Sequence, residues 1–284
     1  MAVRPRTLGA SVIPVAVGSA VALHLETMHP VVLSTCLGAA LLLQVAANLS
    51  NDAIDFLKGV DTEARLGPQR VTQGGFLPAR TVLRAAGICV GMAVCLGAYL
   101  VWIGGIPILI IGISATLAAA GYSAGPFPLA SHALGELAAF LFFGVIAVTG
   151  TAYLHTKSFS GLALLASIPI GLLVSNLMLV NNLRDIESDS ASGKRTLAVR
   201  LGKSWTRAGY VALVWLAFAS VASLWAWDPT HFSVFLPWLS MPLALSLSRQ
   251  IVRASDGSSF NRALAGTAKL HAIFGILLVV GLVW

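Results

Sequence analysis

Apolar residues in this chain run in long blocks separated by short polar intervals. Runs of roughly 18 or more apolar residues, enough to cross a bilayer core as a helix, recur along the whole length. They predict nine membrane-spanning helices: Leu8–Leu25, Val31–Phe56, Val82–Ile103, Ile106–Ala124, Leu134–Leu154, Leu162–Leu183, Ala208–Trp227, Phe232–Leu247 and Leu264–Trp284. The pattern is that of an all-α, polytopic membrane protein. One domain fills residues 1–284, with no room for a separate soluble one.

The polar intervals carry a second pattern. Lys and Arg are retained on the cytoplasmic side of membrane helices. With nine crossings and the N-terminus inside, seventeen of the eighteen Lys and Arg residues fall on cytoplasmic segments, Lys157 being the exception. This predicts a bacterial cytoplasmic-membrane protein with its N-terminus inside and its C-terminus outside. The outer connections are short, while two inner ones, 56–81 and 184–207, are long and polar.

Composition agrees with the pattern. Hydrophobic residues make up 57% of the chain and charged residues 10%, against about 25% charged in soluble domains. The net charge of +7 follows from the cytoplasmic loop bias and does not require nucleic acid. Cys36, Cys89 and Cys95 lie inside apolar runs without zinc-ligand spacing, which fits small apolar packing. Arg4 and Arg6 precede an apolar run as in a signal peptide, but no small-residue cleavage site leading into a soluble domain follows. That run is read as the first span.

Acidic residues are scarce and clustered. Seven of the eleven fall in two places: Asp52, Asp55, Asp61 and Glu63, then Asp185, Glu187 and Asp189. Each group closes an apolar run and opens a long basic loop. Helical spacing puts Asn48, Asp52 and Asp55 on one stripe, and Asn181, Asp185 and Asp189 on another. A charge at mid-membrane costs about 2.5–3.5 kcal/mol on insertion scales, so both stripes must face a wet, protein-lined cavity or the interface. Carboxylates and carboxamides without histidine suit a hard cation such as Mg²⁺. Magnesium so bound keeps positions open for phosphate oxygens. Arg65, Arg70, Arg184, Lys194 and Arg195 lie close by in sequence. Together these residues describe a receptor for a metal-complexed diphosphate, and the apolar spans beside them suit an isoprenoid tail.

At this point the residues resemble the UbiA superfamily of intramembrane aromatic prenyltransferases. Asn51-Asp52-x-x-Asp55 with Asp61 is similar to that family's first Asp-rich motif, and Asp185-x3-Asp189 to its second. Four stretches bring the chain nearest to the members that prenylate 1,4-dihydroxy-2-naphthoate. They are Arg4-Pro-Arg-Thr-Leu8 with Pro14-Val15, Asn48–Asp61 continuing into Arg65–Arg70, Leu134-Gly-Glu136 with Phe142-Phe-Gly144, and Asn181 to Gly202. The resemblance implies a helical bundle around a central cavity open to the cytoplasm. It implies Mg²⁺ held by Asp52, Asp55, Asp185 and Asp189 with Asn48. It further implies diphosphate contacts from Asn51, Arg65, Arg70, Asn182, Arg184, Lys194 and Arg195, and Tyr122 lining the reaction centre. The implied partners are a polyprenyl diphosphate, an aromatic acid and the lipid bilayer, with no nucleic acid and no obligatory protein partner. The implied products are demethylmenaquinone, diphosphate and CO₂.

Two departures keep the acceptor open, 4-hydroxybenzoate included. Phe127-Pro-Leu-Ala-Ser-His132 replaces an aromatic Pro-Tyr-Gly-Tyr stretch, and Ala53 stands where tyrosine is common. An ion transporter is the rival from another class, because intramembrane acids often mark ion paths; it predicts polar residues through the full depth of several spans. Glu136 fits helix-dipole stabilisation at the start of a span. His132 is read as a loop residue, and His24, His29, His155 and His231 on the outer connections as bystanders.

Overall fold

A computed structural model describes residues 5–57, 59, 70–123 and 128–284. Every described element is helical: α1 (Pro5–His24), α2 (Pro30–Leu57), α3 (Ala79–Gly104), α4 (Ile106–Ser123), a 3₁₀ turn (Leu129–Ser131), α5 (Gly135–Ala139), a π segment (Phe140–Ile146), α6 (Ala147–Thr156), α7 (Gly161–Arg184), α8 (Ile186–Ala191), α9 (Leu197–Trp227), a 3₁₀ stretch (Phe232–Ser240), α10 (Met241–Arg253) and α11 (Gly257–Val283). The ends have local causes. Ser160, Thr196 and Asp256 cap α7, α9 and α11 by accepting from backbone N–H groups in the first turn, which satisfies donors that have no intrahelical partner. Gly105 ends α3 at a φ of 68°, a conformation open to glycine.

Each predicted span falls on a helical stretch, yet the count of nine crossings is met only in part. Among the described residues, six helices are long and apolar enough to cross a membrane: α2, α3, the continuous run Gly135–Thr156, α7, α9 and α11. Leu8–His24 and Ile106–Ala118 are shorter apolar helices. The expected span Phe232–Leu247 is divided, with 3₁₀ geometry through Ser240 and a 13-residue α10 after it. Proline explains the division, because Pro237 and Pro242 lack the N–H that a continuous α-helix needs.

Burial identifies the central element. The hydrophobic window of α7 is 67% buried, whereas that of α3 is 17% buried. α7 packs against α1, α9, α11 and the π segment, and α3 mainly against α2. Between the π segment and α7 the backbones nearly touch: a Cβ at Gly144 would lie 2.4 Å from Gly171 Cα. Lipid gives apolar side chains no reason to leave it, so small residues that admit close backbone contact do this work in membranes. Outward-facing Trp102, Ile106, Leu117 and Trp284 are exposed, as a surface solvated by lipid requires. The His24 ring bonds the Leu282 carbonyl, so α1 and α11 finish at the same end, and Pro5 and Trp284 lie at opposite ends.

Candidate functional site

Packing against α1 brings the two acidic clusters to one end of the bundle. Near the start of α1, the Ser11 hydroxyl donates to Gln44 Oε1 of α2 at 3.1 Å. On its other side Ala10 clusters with Ala139 and Val174, and Leu177 and Met178 pack against them. From Gln44, α2 continues to Asn48, Asp52 and Asp55; from Met178, α7 continues to Asn181, Asn182 and Asp185. At 1.5 Å per residue, Asp52 lies about 12 Å beyond Gln44, and Asp185 lies about 10.5 Å beyond Met178 in the same direction. The two clusters therefore flank the α1 N-terminus at a common level.

Within the first cluster, Asp52 and Asp55 are placed differently. Asp52 is buried, and its carboxylate accepts the Val71 and Thr72 backbone N–H groups, each at 3.1 Å, together with the Thr72 hydroxyl. It thus clasps the segment after the loop onto α2. Asp55 is half-buried and pairs with Arg70 at 2.6 Å, while the Arg70 guanidinium also donates to the Asn51 carbonyl. Asn48 is buried on the same stripe. Arg65, Asp61, Glu63 and the Tyr122 side chain lie outside the described residues.

The second cluster is organised by Arg184. Its buried guanidinium makes a fork to Asp185, Nε to Oδ1 at 2.7 Å and an Nη to Oδ2 at 2.6 Å. Further N–H groups donate to Asn181 Oδ1 at 2.8 Å and to Asn261 Oδ1 of α11 at 2.9 Å. Bidentate Arg–carboxylate bonds fix orientation as well as charge. The stripe expected on one straight helix is bent: Asp185 caps α7 and starts α8. The i→i−4 bonds from Asp185 N to Asn181 O and from Asp189 N to Asp185 O survive, so Asp189 still follows Asp185 by about one turn. Asp189 is buried, and desolvation pushes its carboxyl above the usual carboxylate range although Lys194, 3.4 Å away, opposes the shift. Arg195 is exposed, and its backbone N–H bonds the Ser131 carbonyl, tying this loop to the segment after α4.

Glu136 is more involved than its sequence position suggested. It is buried at the start of α5, and Oε1 accepts the Asn182 amide at 2.8 Å. Oε2 is buried with no hydrogen-bond partner. Thr72 and Asn261 carried no sequence signal, because each lies in a separate segment and reaches the clusters only through the fold. In the sequence, Glu136 directly after Gly135 marks only a helix start.

This end of the bundle therefore joins all-oxygen anionic groups to two buried guanidinium groups, beside apolar helices. Residues 11–274 match the UbiA prenyltransferase family. The chain belongs to that family. A UbiA-family relative, the 1,4-dihydroxy-2-naphthoate octaprenyltransferase of Haemophilus influenzae, is 34% identical over 98% of this chain and 93% of its own length. The UbiA fold is equally plain in solved structures. The apo form of a UbiA homologue from Aeropyrum pernix K1 aligns with a TM-score of 0.73 at 16% identity, over 95% of this chain and 97% of that one. A UbiA homologue from Archaeoglobus fulgidus bound to DMAPP and Mg²⁺ aligns with a TM-score of 0.64 at 14% identity, over 98% of each chain.

Proposed function

We propose that this UbiA-family enzyme transfers a polyprenyl chain from its diphosphate to 1,4-dihydroxy-2-naphthoate, giving demethylmenaquinone in its reduced, quinol form, diphosphate and CO₂. The observation that carries the reading is the convergence of Asp52, Asp55, Asp185 and Asp189 at one end of the bundle, each cluster with a buried arginine. The naphthoate octaprenyltransferase relative, matched over nearly its full length, supports the acceptor.

The donor set fits magnesium, since every candidate ligand is a carboxylate or carboxamide oxygen and no histidine joins them. Asp52, Asp55, Asp185 and Asp189 would hold the ion, with Asn48 beside them, and Asp52 also anchors the Val71–Thr72 segment. Bound there, the metal would draw negative charge onto the departing diphosphate. Arg70 and Lys194 stand next to Asp55 and Asp189, placed to receive phosphate oxygens. Arg184 holds Asp185 in one orientation and joins it to α11. Glu136 fixes the Asn182 amide, which leaves that side chain's carbonyl oxygen directed by the bond. The apolar spans accommodate the isoprenoid tail in lipid.

The charge distribution supports an orientation with nine crossings, the N-terminus and the clusters cytoplasmic, and the C-terminus outside. An ion pathway would need polar groups along the depth of several spans, whereas the acids concentrate at helix ends.

Purified protein in detergent, given radiolabelled polyprenyl diphosphate, Mg²⁺ and either naphthoate or 4-hydroxybenzoate acceptor, tests the reading. Label should enter a lipophilic quinol with the naphthoate and vanish with EDTA. Asp185→Ala should abolish turnover. Wild-type turnover in both Asp55→Ala and Asp185→Ala would sink the site, and transfer to 4-hydroxybenzoate alone would sink the acceptor.

A further inference from the structure

The opposite end of the bundle holds a group of side chains that the transfer reaction does not use. His24 ends α1, Asp228 caps the C-terminus of α9, and His231 follows in the turn that leads to the 3₁₀ stretch. One ligand-capable atom from each lies within 4.8 Å of those from the other two. Two elements far apart in sequence are thus brought together around nitrogen and oxygen donors. All three residues line one small cavity walled by Leu162, Leu224, Trp227, Val234 and Leu282. Donors inside an apolar shell are the usual surroundings of a bound metal ion.

The hydrogen bonds define which atoms remain available. His24 Nδ1 lies 3.0 Å from the Leu282 carbonyl, which only accepts, so Nδ1 carries the hydrogen and Nε2 keeps the lone pair. A backbone carbonyl on the second ring nitrogen is how ligating histidines are held in one tautomer. His231 Nδ1 lies 2.7 Å from Asp228 Oδ2. The hydrogen held between these two atoms is the one an ion displaces, so Nδ1 and Oδ2 face a common ligand position. The Thr230 amide and hydroxyl both donate to Asp228 Oδ1, which holds the carboxylate in place. The side chains of Asp228 and His231 are about one-third exposed, at 36% and 34%, so an ion can reach them from solvent.

We propose that His24, Asp228 and His231 form a binding site for a divalent transition-metal ion of the zinc class, which fastens the end of α1 to the turn after α9. Two imidazoles and a carboxylate suit zinc and its neighbours and disfavour magnesium, so this site and the Asp-rich end select different ions. Bonds of about 2.0–2.1 Å in tetrahedral geometry set ligand atoms about 3.4 Å apart. The His231–Asp228 pair, at 2.7 Å, opens slightly on loading, and the His24 ring draws inward. The fourth position stays open to water.

The test uses full-length protein in detergent, purified without a polyhistidine tag and saturated with Mg²⁺ to occupy the Asp-rich end. Zn²⁺ titrated alone, and Co²⁺ read by its visible absorption, should each bind one equivalent per chain and raise the melting temperature. His24→Gln and His231→Gln should each weaken Zn²⁺ binding by about ten-fold or more while leaving prenyl transfer unchanged. Should either variant fail to fold, diethyl pyrocarbonate labelling of the wild type supplies the answer, with Zn²⁺ protecting both His24 and His231. Binding of equal strength in the variants, no Zn²⁺ binding at micromolar concentration, or no protection of the two rings would each overturn the proposal.

Discussion

Asp52 and Asp55 stand three residues apart on α2, yet their partners give them different work. Asp52 is buried and fully engaged by Val71 and Thr72, whereas Asp55 is half-buried and meets only the Arg70 side chain among the bonds described above. Helical spacing made the stripe legible, because a period of 3.6 puts both acids on one face. It could not separate their roles, because Thr72 lies beyond a loop without periodicity. Thr72→Val keeps the shape and removes the hydroxyl. Loss of a hydrogen bond to a charged group is worth about 1.5–3 kcal/mol, so the variant should melt earlier in detergent. If Asp52 also orients the metal site, the Mg²⁺ needed for half-maximal transfer should rise about ten-fold. An unchanged melting temperature would show that the hydroxyl contributes nothing to the clasp. Arg184→Lys makes the parallel test in the second cluster. A lysine cannot form the fork to Asp185 or reach Asn181 and Asn261 in the same plane. Stability should fall by about 1–3 kcal/mol, and wild-type melting with full turnover would remove Arg184 from its organising role.

At the scale of elements, hydropathy located the helices and missed their polar extensions. α9 starts at Leu197, well before the apolar run at Ala208, because the Thr196 side chain caps it through Val199 N–H. Only the capping geometry and a turn at Gly202, with φ at 77°, mark that extension. The π segment was equally hidden, since an apolar run reads alike in α and π geometry. Its packing gives a prediction. A methyl on Gly144 would meet Gly171 Cα at 2.4 Å and its N at 2.9 Å, and backbone atoms cannot rotate away. Gly144→Ala should destabilise the protein by about 1–3 kcal/mol, seen as a lower melting temperature, whereas Gly87→Ala, with open space around it, should change little. The α11 cap gives a pH prediction. The Ser258 hydroxyl and the Ser259 amide, the larger causes, hold the Asp256 carboxyl below its usual value of 3.8. A depressed carboxyl binds fewer protons folded than unfolded, so its contribution is present above that usual value and fades as the pH falls through the lower folded one. Asp256→Asn keeps a good capping group without the titration. The stability difference between wild type and variant should be constant at neutral pH and shift against wild type below about pH 4. A difference independent of pH down to that range would contradict the cap's charge.

For the whole molecule, the sequence carried the all-helical plan and the grouping of acids at helix ends, because both rest on composition along single helices. It did not carry the shared level of the two clusters, which depends on Ser11–Gln44 on one side of α1 and the Ala10 cluster on the other. The same packing fixes which helix ends lie beside the acids and which lie opposite. The His24–Leu282 bond puts the last turn of α11 at the end away from the acids, while Arg184–Asn261 puts its first turn beside them. A bundle oriented by its lysines and arginines then exposes Ser258 to the cytoplasm and Ser158 to the outside. Both residues are exposed and both sit off the candidate site. With Cys36, Cys89 and Cys95 replaced by alanine, Ser158→Cys should react with a membrane-impermeant maleimide added to intact cells, and Ser258→Cys only in inverted vesicles. The reverse pattern would turn the molecule over and put the diphosphate site on the outer face. Labelling of both positions from one side would break the alternation on which nine crossings rest. The arrangement has a chemical consequence that the same vesicles can measure. Polyprenyl diphosphate supplied to the Asp-rich face should be consumed at once, and the same donor confined to the other face should be consumed only as fast as its charged head crosses the bilayer, which lipid strongly opposes.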